Sequence, residues 1–112
     1  MAVLTVQNAT RESLVLTDAL VAAGVSGDSW GNTGTEYLAV NNGSAGTVTV
    51  TLVYQRQFDE QTASNRTVDV AAGKLTLIGP FPQYLYNASN QRASVTYSSV
   101  TSVTVAAIRM GA

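Results

Sequence analysis

A chain of 112 residues, 46% of them hydrophobic, is long enough for one domain with its own core. It holds no cysteine and no histidine, which removes disulfides, thiolate and zinc–sulfur chemistry, the commonest general base near neutral pH and the commonest transition-metal ligand. Only 12% of its residues are charged and the net charge is −1, so Arg11, Arg56, Arg66, Lys74, Arg92 and Arg109 are too few and scattered for a nucleic-acid backbone footprint.

Strands are expected at Val3–Val6 and Leu14–Leu16. Asp18 to Gly24 is the one helix-like piece, with Asp18 placed to cap it and Gly24 to end it. Trp30, the single tryptophan, falls in a glycine-rich loop, where it is either a lid on the core or an interface anchor. Glu36–Val40 and Thr47–Tyr54 alternate apolar and polar residues with a period of two. Asn42-Gly43 between them is a strong turn dipeptide, so residues 36–54 are expected to form a hairpin. Gln57 to Asn65 is expected to be a loop.

Thr67–Val70 is a short strand closed by Ala71-Ala72-Gly73. Leu75–Ile78 is apolar on both faces and is therefore expected at the centre of a sheet. It runs into Gly79-Pro80-Phe81-Pro82, which holds both prolines of the chain. A proline lacks the ladder N–H, so this is a corner between sheets; the spacing is wrong for a Pro-x-x-Pro recognition helix. Ala93–Ser98 alternates again. Val103–Met110 is apolar on both sides, which places it between two layers or beneath another subunit. Many short strands with turns between them predict an all-β, single-domain antiparallel β-sandwich, jelly-roll-like, with at most one short helix. Residues 1–24 supply the first strands or an N-terminal arm.

The chemistry-bearing residues are sparse. The acids are Glu12, Asp18, Asp28, Glu36, Asp59, Glu60 and Asp69, and only Asp59 and Glu60 are adjacent. Neighbours on a strand point to opposite faces, so that pair would not converge on one proton or metal. A calcium site from Asp28, Asn32 and Glu36 lacks a loop motif. An acid pocket would need Asp28, Glu36 and Asp59 to meet. No serine has a histidine or lysine relay beside it, and the glycine-rich stretches lack the phosphate-cradling patterns. No enzyme activity, cofactor or metal is expected.

Four Asn-x-Ser/Thr sequons start at Asn8, Asn42, Asn65 and Asn87, and are read as chance matches. The opening residues lack a secretory signal, so synthesis in the cytoplasm is expected. No apolar run approaches the roughly 18 residues that cross a bilayer.

The string GDSWGNTGTEYLAVNNGSAGTVTVTL carries a Gly-Asp-x-aromatic-x-Asn-x-Gly pattern, then a strand, Asn-Gly-Ser and a threonine–valine ladder. VAAGKLTLIGPFPQYLYN and VTYSSVTSVTVAAIRM follow. In this order and spacing, from about Gly27 to Met110, the chain resembles the small head decoration (cement) proteins of tailed bacteriophages. The resemblance implies a virion protein made in the host cytoplasm and seated on the capsid exterior. It would bind the major capsid protein, bridge capsomers and act as a homo-oligomer, a trimer being favoured, with no nucleic-acid or membrane partner and no catalytic residues. A head–tail connector or tail component, or a carbohydrate-binding virion module, are the alternatives. Candidate interface residues are Val3, Leu4, Val6, Trp30, Phe81, Tyr84 and Tyr86. The segment Val3–Val6 is a candidate for strand addition to a neighbouring subunit.

Overall fold

The structure, a computed structural model, describes residues 2–9, 14–55, 57–58, 61–62, 65–88 and 90–110. In chain order its elements are β1 (Ala2–Val3), β2 (Val6–Ala9), α1 (Leu16–Ala19), β3 (Val21–Ala22), β4 (Asp28–Gly31), β5 (Glu36–Asn42) and β6 (Val48–Leu52). There follow β7 (Gln57–Phe58), β8 (Gln61–Thr62), β9 (Arg66–Val70), β10 (Leu75–Ile78), α2 (Gln83–Tyr86), β11 (Arg92–Tyr97) and β12 (Val103–Met110). One sheet runs β1-β4-β11-β6-β9; the other runs β10-β5-β12-β2, with β3 also paired to β12. β7 and β8 form a small separate hairpin within the expected 57–65 loop.

The architecture is the all-β sandwich that the period-two patterning predicts. Val48, Val50 and Leu52 of β6 point inward while Thr49 and Thr51 stay half-exposed. They meet Leu38 and Val40 of β5 and Val103, Val105 and Ala107 of β12 in one core between the sheets. Most pairings are antiparallel, but β1 lies parallel to β4 and β2 lies parallel to β12.

The expected Val3–Val6 strand is divided between the two sheets. Leu4 drops into the core at the break, and its N–H donates to Ser29 O at 2.7 Å. The expected strand at Leu14–Leu16 is absent; the chain instead turns once through α1, with the Ala19 N–H on Val15 O. Asp18 lies inside that turn rather than capping a longer helix, and Val21–Ala22 has already joined β12.

This N-terminal stretch explains why β12 is apolar on both faces. Ala106 and Ile108 point away from the main core and, with Ala39, lie beneath Leu14, Ala19 and Leu20. The cover is the chain's own.

Two strand placements differ from expectation for one reason: the chain changes sheets. β5 and β6 are not a hairpin, since β5 pairs with β10 and β12 while β6 pairs with β9 and β11. Asn42 holds the crossing, its Nδ2 donating to Gly46 O at 2.8 Å and Val70 O at 2.9 Å. β10 is not central but outermost in its sheet. Its Ile78 faces the core, and Leu75 and Leu77 face outward, each 48% exposed.

Candidate interaction surface

The glycine–aspartate–aromatic pattern builds the interior. Trp30 lies in β4, not in a loop, and is fully buried. Gly27 takes φ +94°, and a Cβ there would lie 2.4 Å from Val95 O, so only glycine fits the approach to β11. Asn32 donates through Nδ2 to Phe81 O at 2.9 Å and to Asn87 Oδ1 at 2.7 Å, while Asn87 Nδ2 returns a bond to Asn32 O at 2.8 Å. The Gly34 N–H closes on Asn32 Oδ1.

Glu36, fully buried, accepts from the Thr33 N–H and hydroxyl and from Arg109 Nε at 2.6 Å. Burial by itself would raise its carboxyl; the Thr33 backbone bond, the Arg109 guanidinium and the Thr33 hydroxyl outweigh that and hold it below the ordinary glutamate value. Asp28 is engaged elsewhere, by the Gly24 N–H and the Tyr97 hydroxyl. Asp28, Asn32 and Glu36 therefore serve separate internal partners, and no group of three His, Cys, Asp or Glu suited to a metal occurs among the described residues. Asp59 and Glu60 lie outside the described residues.

The sequon at Asn42 is closed by packing, because the side chain is fully buried with its amide on two carbonyls.

The Gly79–Pro82 stretch is a corner, as the missing proline donors require. Gly79 has φ +130°. After Pro82 the chain makes one helical turn, with the Tyr86 N–H on Pro82 O. Phe81 enters the core between Trp30 and Tyr86, both ring centroids 5.4 Å away, and Tyr86 meets Tyr54 edge-on at the same spacing. Offset and edge contacts of this kind suit aromatic quadrupoles.

The surface left over lies beside this corner. β9 and β10 are the outermost strands of their respective sheets, joined through the 71–74 turn. A groove of about 470 Å³ runs between them, lined by Arg66 and Val68 from β9, by Thr76 to Ile78 from β10, and by the corner with Leu85 and Tyr86. Outermost strands present backbone groups that no strand of their own sheet takes up. Here that edge is flanked by the outward leucines Leu75 and Leu77.

The sequence-predicted interface residues separate on burial. Trp30, Phe81, Tyr86 and Leu4 are buried core residues of the protomer, none more than 8% exposed. The reason is the same for the three aromatics: each closes the sandwich end around the corner. Val3 and Tyr84 are exposed, at 54% and 69%, and Val6 is half-buried. The Val3–Val6 segment is already paired within its own chain, to β4 and β12. Leu75 and Leu77 were not among the expected interface residues, because outward leucines read as central-strand residues when the strand's place in the sheet is unknown. Comparison with known protein families, with curated proteins and with solved structures found no match.

Proposed function

We propose that this chain is a structural bacteriophage virion protein that adds to the outer surface of a capsid, as a homo-oligomer, and stabilises the shell by bridging capsomers. Two things support the reading. The residue pattern from Gly27 to Met110 resembles head decoration proteins, and that pattern is spent on packing, through Gly27, Trp30, Asn32 and Phe81. The observation that carries it is the pair Leu75 and Leu77, outward on a free strand edge beside the β9–β10 groove. A protein of this kind acts by covering area on several neighbours at once, so individually weak contacts multiply. A sugar-binding platform is less well supported: among the exposed large apolar side chains described, Tyr84 is the sole aromatic.

The test uses purified particles. The wild-type chain is expected in many copies at regular positions outside the shell. Leu75→Lys/Leu77→Lys is expected to stay folded, because both side chains point to solvent, and to lose shell occupancy. A small ring at one vertex would overturn the decoration reading in favour of a connector. Full occupancy by the double variant would overturn the assignment of this edge.

A further inference from the structure

The free edge of β10 presents a defined set of backbone groups. β10 pairs with β5 antiparallel, in the register Leu75↔Asn41, Thr76↔Val40, Leu77↔Ala39 and Ile78↔Leu38. One step before that run, the Asn42 N–H donates to Lys74 O at 2.9 Å. Hydrogen-bonded and non-hydrogen-bonded pairs alternate along an antiparallel ladder. Thr76 and Ile78 therefore turn their backbone groups to β5, and the N–H and C=O groups of Leu75 and Leu77 point off the edge of the sheet.

Edges of this kind are ordinarily blunted by charged side chains or by a cover. The outermost strand of the other sheet, β9, carries Arg66 and Asp69. β10 carries no charge, and none follows it before Arg92. Its Thr76, Leu77 and Ile78 border the groove, whose lining also includes Val68, Phe81 and Leu85. Arg66 is the one charged residue that lines this groove, and no acid does. Arg66 is exposed, and among the described residues the one ion pair is Arg109 with Glu36, so no described acid neutralises it. Lys74, also exposed, stands immediately before β10.

A strand laid along β10 alternates its side chains, one set beside Leu75 and Leu77 and the other toward the groove. The uncharged edge suits apolar residues, and the cations Arg66 and Lys74 suit carboxylates. A second copy would bring the same cations and the same acid-free groove, so charge disfavours β10 pairing with itself. We propose that the β10 edge accepts an extended, apolar segment of a partner protein that carries carboxylate side chains, the segment adding as an outer strand, bonding to Leu75 and Leu77 and turning an acid toward Arg66. The inference deepens the capsid reading and rests on it for the donor, which is then a segment of the shell protein.

The experiment is an NMR titration of the full chain, in low salt, with the peptide acetyl-Glu-Val-Val-Val-Glu-amide. Its controls are the same peptide with lysine for both glutamates, and the acidic peptide N-methylated at its first and third valines. The expected result is saturable shifts and slowed exchange at the Leu75 and Leu77 amides. The N-methylated peptide, without those donors, is expected to bind about tenfold more weakly, and the lysine peptide about three- to tenfold more weakly. Arg66→Glu, at an exposed position, is expected to keep the fold and narrow or reverse the preference for the acidic peptide. No saturable shift with the acidic peptide overturns the proposal, as does equal binding of the N-methylated one. Equal binding of the lysine peptide, or an unchanged preference in Arg66→Glu, overturns the acidic occupant. Peptide binding by a chain that is absent from purified particles overturns the shell protein as donor and leaves strand addition standing. Full shell occupancy without peptide binding overturns strand addition and leaves the capsid reading standing.

Discussion

Asn32 and Asn87, 55 positions apart, exchange two hydrogen bonds: each side-chain amide donates to an oxygen of the other residue. The second Nδ2 bond of Asn32, to Phe81 O, fastens the proline corner to the end of β4. Asn32→Ala would leave Phe81 O, Asn87 Oδ1 and the Gly34 N–H without these partners, while Asn87 Nδ2 keeps the backbone carbonyl of residue 32. Unpaired groups of this kind cost about 1–3 kcal/mol each, so the variant is expected to lose roughly 2–4 kcal/mol of unfolding free energy. Urea denaturation measures the loss; a midpoint within experimental scatter of wild type would show that the corner stands without the Asn pair.

Phe81→Ala is expected to cost about 3–5 kcal/mol, because the ring sits between Trp30 and Tyr86 and its removal leaves a cavity. Thermal unfolding of the isolated chain reads it directly. Retained stability with lost assembly would instead place Phe81 at a subunit contact.

Gly27→Ala meets Val95 O at 2.4 Å and must adopt φ +94°. A loss of roughly 2 kcal/mol or more is expected, from left-handed backbone strain plus displacement of β11. Gly46→Ala is the control: no atom lies within 4 Å of the Cβ it would add, and no change beyond about 0.5 kcal/mol is expected. The difference in chemical-denaturation midpoint between the two variants carries the comparison.

Glu36 makes stability depend on pH. Its folded value is lowered from the ordinary glutamate value, so the folded state binds that proton less readily than the unfolded chain. The contribution is complete above the unfolded value and is lost as pH falls through the folded one. Against Glu36→Gln, wild type is expected to be more stable by about 2–3 kcal/mol near pH 7, with the gap closing in acid. A gap that stays constant from neutral to strongly acidic pH would show that the Arg109 and Thr33 contacts do not favour the charged carboxylate.

How much of this was legible in the sequence depended on whether a residue's meaning was local. The threonine–valine alternation of β6 announces a half-buried strand because the period of two is set by the backbone itself. The corner at Pro80 and Pro82 was equally readable, since a missing donor is a property of the residue. Leu75 and Leu77 were not, because an outward leucine looks alike on a central and an outermost strand. The Asn42-Gly43 dipeptide misled for a related reason. Among the described residues the left-handed glycines are Gly27, Gly34, Gly73 and Gly79, not Gly43, and the turn signal is overridden by Asn42 binding across to Val70 O. From sequence Trp30 falls in a loop because Gly27, Asp28, Ser29 and Gly31 are poor strand formers, yet tertiary pairing with β1 and β11 makes β4 an interior strand. Asp28 Oδ1, buried with no hydrogen-bond partner, has no sequence signature at all, since the Gly24 and Tyr97 bonds both fall on Oδ2 only in the folded chain.

The central place of β12 carries a consequence for how the molecule is made. Val6–Ala9, Val21–Ala22 and Glu36–Asn42 all pair with this strand, which follows all three in the chain, and none of the three pairs with another of them. A nascent chain halted before Val103 holds those segments with their shared keystone missing. The pairings of that layer with β12 therefore wait on contacts spanning roughly 60 to 100 residues, and non-local pairing of this kind closes slowly and late.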